Sequence, residues 1–183
     1  PGFSTPQWSQ GTTYYSIFPG SFFNGDTLND ADLGPYGNSV ARPWGVSRIG
    51  YQYPMIASVT GTDYFGGDLK GIADKMSYIK DCLGAETVYT NPISEATFNV
   101  GYGPIDNQTV SRFYGTNNEL AKLTSLLHAN EMKYITDGVW LYSAAGSKEY
   151  NKTGFWPEAG AFQSENSAYK DFYYLDKGKT WPN

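Results

Sequence analysis

Tyr15-Ser16-Ile17-Phe18-Pro19-Gly20-Ser21-Phe22-Phe23-Asn24-Gly25-Asp26-Thr27-Leu28-Asn29-Asp30 is the stretch that decides how this chain is read. Its first part, from Thr13 to Phe18, is short, aromatic and β-rich, and Pro19 closes it as a strand should be closed. Its second part packs four side-chain oxygen donors, Asn24, Asp26, Asn29 and Asp30, into seven residues. Further along, Gly66-Gly67-Asp68 adds another carboxylate where a helical pattern begins. Carboxylates and amides on a flexible loop suit a hard cation, and calcium takes about six to eight such oxygens. The same composition also describes a solvated Asn/Asp/Gly turn.

Outward from this stretch the pattern alternates. A polar loop containing Gly and Pro covers about residues 20–66. From Asp68, apolar residues at Leu69, Ile72, Met76, Ile79 and Leu83 recur near the helical period, and Gly84 supplies a stop. Thr87 to Thr90, closed by Asn91-Pro92, fits a buried strand. Thr116 with Glu119 three residues on reads as a capping box, with Leu120, Leu123, Leu126 and Leu127 as the apolar stripe behind it. Lys133 to Val139 is a third strand, with Asp137 near its carboxyl end. Strands alternating with helices predict parallel βαβ units, whose active sites form at the carboxyl ends of the strands.

Composition narrows the partners. The 183 residues, 40% hydrophobic and 17% charged, suffice for a real core. A net charge of −5 argues against nucleic acid and anionic membranes, which want a basic face. Within the 183 residues no apolar run is long enough to span a bilayer, and no stretch reads as a signal sequence. Sixteen Tyr, ten Phe and five Trp supply faces suited to sugar rings, although core packing claims many of them. Cys82, the sole cysteine, excludes an internal disulfide and is expected to be a small buried hydrophobe. His128, the sole histidine, falls near the end of the second helix, where a structural role is expected.

Several blocks match one family in order. Tyr15 to Asp30 is similar to Y-Q-I-F-P-D-R-F followed by N-G-D-x-x-N-D, and Phe65 to Ile72 to F-G-G-D-L-x-G-I. Leu83-Gly84-Ala85 with Tyr89 to Ile93 is similar to L-G-x-x-x-x-Y-L-N-P-I. Tyr114-Gly115-Thr116 and Asp137-Gly138-Val139 match F-G-T and D-G-V. Collinear over about residues 6–142, these blocks resemble the catalytic barrel of the α-amylase family (glycoside hydrolase family 13), most closely its neopullulanase-like members. The resemblance implies an α/β fold: the amino-terminal part, about three βα units, of a (β/α)8 TIM barrel over residues 1–142. Residues 143–183 resemble the start of the inserted domain B, with Phe172-Tyr173-Tyr174 and Trp181-Pro182 similar to its Y-x-F-Y-x-W-P stretch.

The resemblance implies a calcium site built from Asn24, Asp26, Asn29, Asp30, the Gly66 carbonyl and Asp68. It implies substrate contacts at Tyr102, Asp137 and Tyr142, with an α-glucan oligosaccharide or polysaccharide as ligand and an extracellular or secreted setting. The family cleaves α-1,4 or α-1,6 glucosidic bonds by the retaining route, with a carboxylate nucleophile and a carboxyl acid/base. Those groups belong to the fourth, fifth and seventh strands of the family barrel, so no catalytic residue is assigned here. A whole barrel takes about 250 residues. The 183 residues are therefore expected to be inactive alone and to need the remainder of the barrel, in the same polypeptide or a companion chain.

Where the family has D-R after the first strand, this chain has Gly20-Ser21. Its N-H-K-Y-D loop reads Asn99-Val100-Gly101-Tyr102-Gly103, and its D-x-V-x-N-H reads Asp137-Gly138-Val139-Trp140-Leu141-Tyr142. Two readings remain open: the amino-terminal portion of a glucan hydrolase, or an amylase-like domain that has lost its chemistry and binds glucan or serves a structural role. Trp140 and Tyr142 at the mouth of the third strand fit a sugar platform or packing against domain B. Asn107-Gln108-Thr109 and Asn151-Lys152-Thr153 have the form of glycosylation sequons.

Overall fold

Parallel strand pairing requires a crossover between strands, and the three-stranded sheet of this chain is built on two such crossovers. The computed structural model describes residues 2–30, 40–41, 63–97 and 100–173. In chain order these form β1 (Tyr14–Ile17), the two-residue strands β2 (Val40–Ala41) and β3 (Asp63–Tyr64), α1 (Leu69–Asp74), a π-helical turn (Tyr78–Cys82), β4 (Thr87–Thr90), β5 (Ser94–Ala96), β6 (Pro104–Val110), α2 (Asn117–Ala129) and β7 (Lys133–Thr136), with short 3-10 turns between. Strands β1, β4 and β7 lie in that order in one sheet. Both pairings are parallel, with Tyr14 opposite Thr87 and Thr87 opposite Lys133.

β4 is the central strand and is buried along most of its length, as expected of a parallel strand covered by crossover helices. The core joins Ile17 and Val88 of the sheet to Leu69, Ile72 and Ile79 on one crossover and Leu123 and Leu127 on the other. Thr87 and Thr90 are also buried, and each hydroxyl has a partner: Thr12 Oγ1 at 3.2 Å and the Tyr134 hydroxyl at 2.8 Å. Asp137 sits just past the end of β7, where its N–H donates to the Thr90 carbonyl at 2.9 Å. The third strand is thus shorter than the predicted span to Val139.

The second helix follows its sequence signals. Thr116 caps it by accepting from the Glu119 N–H at 3.3 Å, and the Glu119 carboxylate accepts from the Thr116 hydroxyl at 2.9 Å. Leu123 and Leu127 are buried. The first crossover departs from the single predicted helix. α1 ends at Asp74, and the chain then widens into the π turn, where the Leu83 N–H donates five residues back to Tyr78. One extra residue in a turn rotates the downstream side chains by about 100° at 3.6 residues per turn. That rotation explains why Leu83 is 41% exposed and why Cys82, expected inside, is on the surface. Gly84 ends the segment at φ +67°, the left-handed position that favours glycine.

The segment after β4 contains a hairpin that periodicity did not predict. β5 and β6 pair antiparallel with two register irregularities, and Pro104 opens β6, a strand position that tolerates proline. Residues 143–173 pack beside β6 without long regular elements. Ala144 and Lys148 donate from their backbones to the Pro104 and Ile105 carbonyls. Within this segment Tyr150 contacts Phe162 and Tyr173 at ring separations of 5.5 and 5.0 Å. Asn151 is fully buried, its Nδ2 within 3.0 Å of the Trp156 and Glu158 carbonyls and Gln163 Oε1. Such an amide is not open to glycosylation, which rules out the second sequon; Asn107 of the first is exposed. His128 is exposed in the last turn of α2. Asn99, Tyr174 and Trp181-Pro182 lie outside the described residues. No helix among the described residues is long and apolar enough to cross a membrane.

Candidate functional site

The loop after β1 is fastened to the start of α1 chiefly through one buried carboxylate. Asp68, with no exposed surface, is the N-cap of α1 and accepts from the Gly71 N–H through Oδ1. The same carboxylate accepts from the Gly25 N–H at 3.2 Å, the Asp26 N–H at 2.8 Å and Asn29 Nδ2 at 3.4 Å. Burial pushes its pKa up, while the bonds from Gly71, Asp26 and Gly25 pull against that rise. The backbone adds further ties: Gly20 accepts from the Phe65 N–H, and Phe23 from the Asp68 N–H. Asp26 spends Oδ1 on the Leu28 N–H at 3.0 Å, capping the Thr27–Asn29 turn.

Asn24, Asp30 and Gly66 meet beside this knot. Asn24 Nδ2 donates to Asp30 Oδ2 at 2.7 Å. Gly66 has φ +79°, and a Cβ there would lie 2.7 Å from Asp30 Oδ1 and closer still to the Asn24 amide. Among the described residues, Asn24 Oδ1 and Asp30 Oδ1 are both buried without a hydrogen-bond partner. An unpaired buried acceptor costs about 1–3 kcal/mol, and a positive charge within reach of these oxygens would offset that cost. Among the described residues no three or more His, Cys, Asp or Glu side chains gather as metal ligands. A cation here would therefore draw on amide and main-chain oxygens as well as carboxylates, which is the chemistry of a hard ion. The residues fit calcium.

The second cluster forms where β4 and β7 end. The Tyr102 hydroxyl donates to Asp137 Oδ2 at 2.7 Å and accepts from Asn91 Nδ2 at 3.1 Å. Asp137 Oδ1 accepts from the Gly138 N–H at 2.9 Å, so both carboxylate oxygens are engaged. Desolvation and then the Asp137 carboxylate raise the Tyr102 pKa, keeping the phenol protonated as a donor. Tyr102 remains 38% exposed and offers its ring to solvent. Asp137 borders a cavity of about 370 Å³, which it shares with Asn107, Asn117 and Trp140.

Tyr142 lies elsewhere. It lines an adjoining cleft of about 750 Å³ with Trp140, Leu141, Glu149 and Phe172. Asn107 and Trp140 border both spaces, so they are continuous in lining. Trp140 is 83% exposed, and its indole lies over Gly138, where any Cβ would strike it. The structure thus joins Tyr102 to Asp137 and sets Tyr142 apart. Sequence reading missed Asn91, which it took only as a strand stop, and Asn107, which it took only as a sequon.

Comparison with known proteins accounts for this layout. The family model "Alpha amylase, catalytic domain" matches residues 16–183. An amylopullulanase of Thermoanaerobacterium saccharolyticum is 35% identical over 98% of this chain and 15% of its own length. The intracellular maltogenic amylase of Bacillus subtilis is 31% identical over 94% of this chain and 25% of its own. This chain therefore spans a quarter or less of these two relatives. Among solved structures, the type III pullulan hydrolase from Thermococcus kodakarensis superposes with a TM-score of 0.75 at 27% identity, covering 96% of this chain and 29% of that one. The cyclic alpha-maltosyl-(1-->6)-maltose hydrolase from Arthrobacter globiformis gives a TM-score of 0.70 at 28% identity, covering 91% and 32%. The three parallel strands are the amino-terminal part of a TIM barrel, and the chain belongs to the alpha-amylase catalytic-domain family.

Proposed function

We propose that this chain supplies the amino-terminal strands and loops of an α-glucan hydrolase of the α-amylase and neopullulanase type, acting on α-1,4 or α-1,6 glucosidic bonds. The observation that carries the reading is the Tyr102–Asp137 pair at the carboxyl ends of the barrel strands, where such barrels bind substrate. In this role Asp137 holds the Tyr102 phenol in one orientation, and the exposed ring stacks against the apolar face of a glucose unit. Tyr142 extends the contact surface into the adjoining cleft. These groups bind and orient; the retaining chemistry needs two further carboxyl groups on the remainder of the barrel. Asn24, Asp26, Asn29, Asp30, the Gly66 carbonyl and Asp68 would hold a calcium ion, which supplies positive charge that fixes the loop against α1. An extracellular or secreted setting, rich in calcium, suits such a loop.

A second reading, a glucan-binding domain without hydrolysis, is favoured by one observation: Leu141 and Tyr142 stand where the family places an Asn and a His. Maltooligosaccharide titration of the intact protein, followed by reducing-sugar assay, separates the two. Binding with sugar release supports the hydrolase, and binding without release supports the binder. Tyr102→Ala should weaken binding about tenfold, in line with the 1–3 kcal/mol that stacking on an aromatic ring contributes in other ring systems. Unchanged affinity in that variant would defeat both readings of this site.

A further inference from the structure

Tyr64 sits directly behind the calcium loop. Its side chain is 1% exposed, and its ring packs against Phe113 at 5.3 Å. Its hydroxyl donates to the Phe113 carbonyl at 2.7 Å, and Asn29 Oδ1 lies 3.3 Å from the same oxygen. On the far side of the Asn29 amide, Nδ2 is 3.4 Å from Asp68 Oδ2. Burial, then the nearby Asp30 and Asp68 carboxylates, hold the phenol protonated. A phenol has one hydrogen. With that hydrogen given to Phe113 at the shorter distance, Asn29 Oδ1 faces an oxygen and gains little, while Nδ2 makes only a long bond to Asp68.

A half-turn of the Asn29 amide exchanges its nitrogen and oxygen and resolves this arrangement. Nδ2 then donates to the Tyr64 oxygen, which still donates to Phe113, and Oδ1 faces Asp68 Oδ2 across 3.4 Å. Two oxygens each about 2.4 Å from one calcium ion and at right angles to each other are separated by about 3.4 Å. The half-turn gives up the bond to Asp68, so it is favoured only when a positive charge lies between the two oxygens. Groups that hold a ligand's orientation from behind typically change metal affinity by about 10- to 100-fold when removed.

We propose that Tyr64 is the positioning residue of the cation site: it accepts from Asn29 in the loaded state, turns the Asn29 oxygen toward the ion beside Asp68, and anchors the relay on the Phe113 carbonyl. The inference rests on the calcium reading of this loop. Calorimetric calcium titration of the intact, chelator-stripped protein tests it in four forms: wild type, Tyr64→Phe, Asn29→Asp and the double variant. An aspartate offers oxygen in either orientation and so needs no acceptor behind it. The expected result is a loss of about tenfold in affinity for Tyr64→Phe alone, and less than about twofold for the same change in the Asn29→Asp background. At saturating calcium the Asn29 side-chain amide NMR signals should shift more in wild type, where the amide turns, than in Tyr64→Phe. Equal losses in both backgrounds would make Tyr64 merely structural and overturn the proposal, as would wild-type affinity in Tyr64→Phe. Failure of the wild type to bind calcium would instead overturn the calcium reading, and this proposal with it.

Discussion

The loop after β1 and the mouth of β7 use carboxylates in opposite ways. Asp68 is fully buried and gathers N–H groups from Gly25, Asp26 and Gly71. Asp137 lies at a partly open surface and meets one tyrosine hydroxyl and its neighbour's N–H. The first carboxylate holds backbone segments together and the second orients one exposed ring. The contrast teaches that the group that ties the backbone and the group at the proposed recognition site are separable in this molecule, because the two carboxylates bond to different sets of partners.

The sharpest way to break that contrast is to remove the two carboxylates in turn. Asp68→Ala leaves three buried or half-buried N–H groups without an acceptor and α1 without its cap, and should cost about 3–5 kcal/mol in urea unfolding. Asp137→Ala should cost less than about 1 kcal/mol by the same measurement, since water can replace partners at a partly open site. Equal losses would end the distinction.

A second, smaller effect concerns pH. The folded-state pKa of Asp68 is raised, so the folded chain holds this proton to higher pH than the unfolded chain does. Its contribution to stability is therefore fully present below the ordinary carboxylate pKa and is lost as pH rises through the raised value. In chelator-treated protein, the stability difference between wild type and Asp68→Asn should shift against wild type as pH rises through that window. Calcium should remove the trend, because the cation favours the charged carboxylate. A trend in the opposite direction without calcium would show that the hydrogen bonds outweigh burial.

The smallest expected change in stability comes from Tyr102→Phe, which keeps the ring and removes the bond to Asp137. Its melting temperature should move by no more than a few degrees, whereas maltooligosaccharide affinity should fall several-fold as the ring loses its fixed orientation. A large fall in melting temperature would place Tyr102 with the structural groups.

The strands and the second helix were legible because their signals are local. Thr87–Thr90 and the Thr116–Glu119 cap each occupy a few adjacent residues, and the structure forms them where the pattern places them. The β5–β6 hairpin was not legible. Gly101-Tyr102-Gly103-Pro104 reads as turn chemistry, and the pairing depends on an irregular register that no period encodes. The π turn was equally hidden, since a helical stripe drawn through Leu83 assumes a constant number of residues per turn. At the candidate sites, residue types pointed to the oxygen-rich loop, but only the folded chain shows which atoms are already engaged. Asp26 caps its own turn, while Asn24 and Asp30 each keep an oxygen without a partner among the described residues. Leu141 and Tyr142 depart from the family pattern in sequence, and the structure places both at the surface of the larger cleft.

The surface position of Cys82 has a practical consequence. As the only thiol of these 183 residues, it gives this chain one known location for a maleimide fluorophore without any mutation. The dye would sit at the far end of the crossover that Asp68 begins, so its emission could follow tightening of that segment as calcium is titrated.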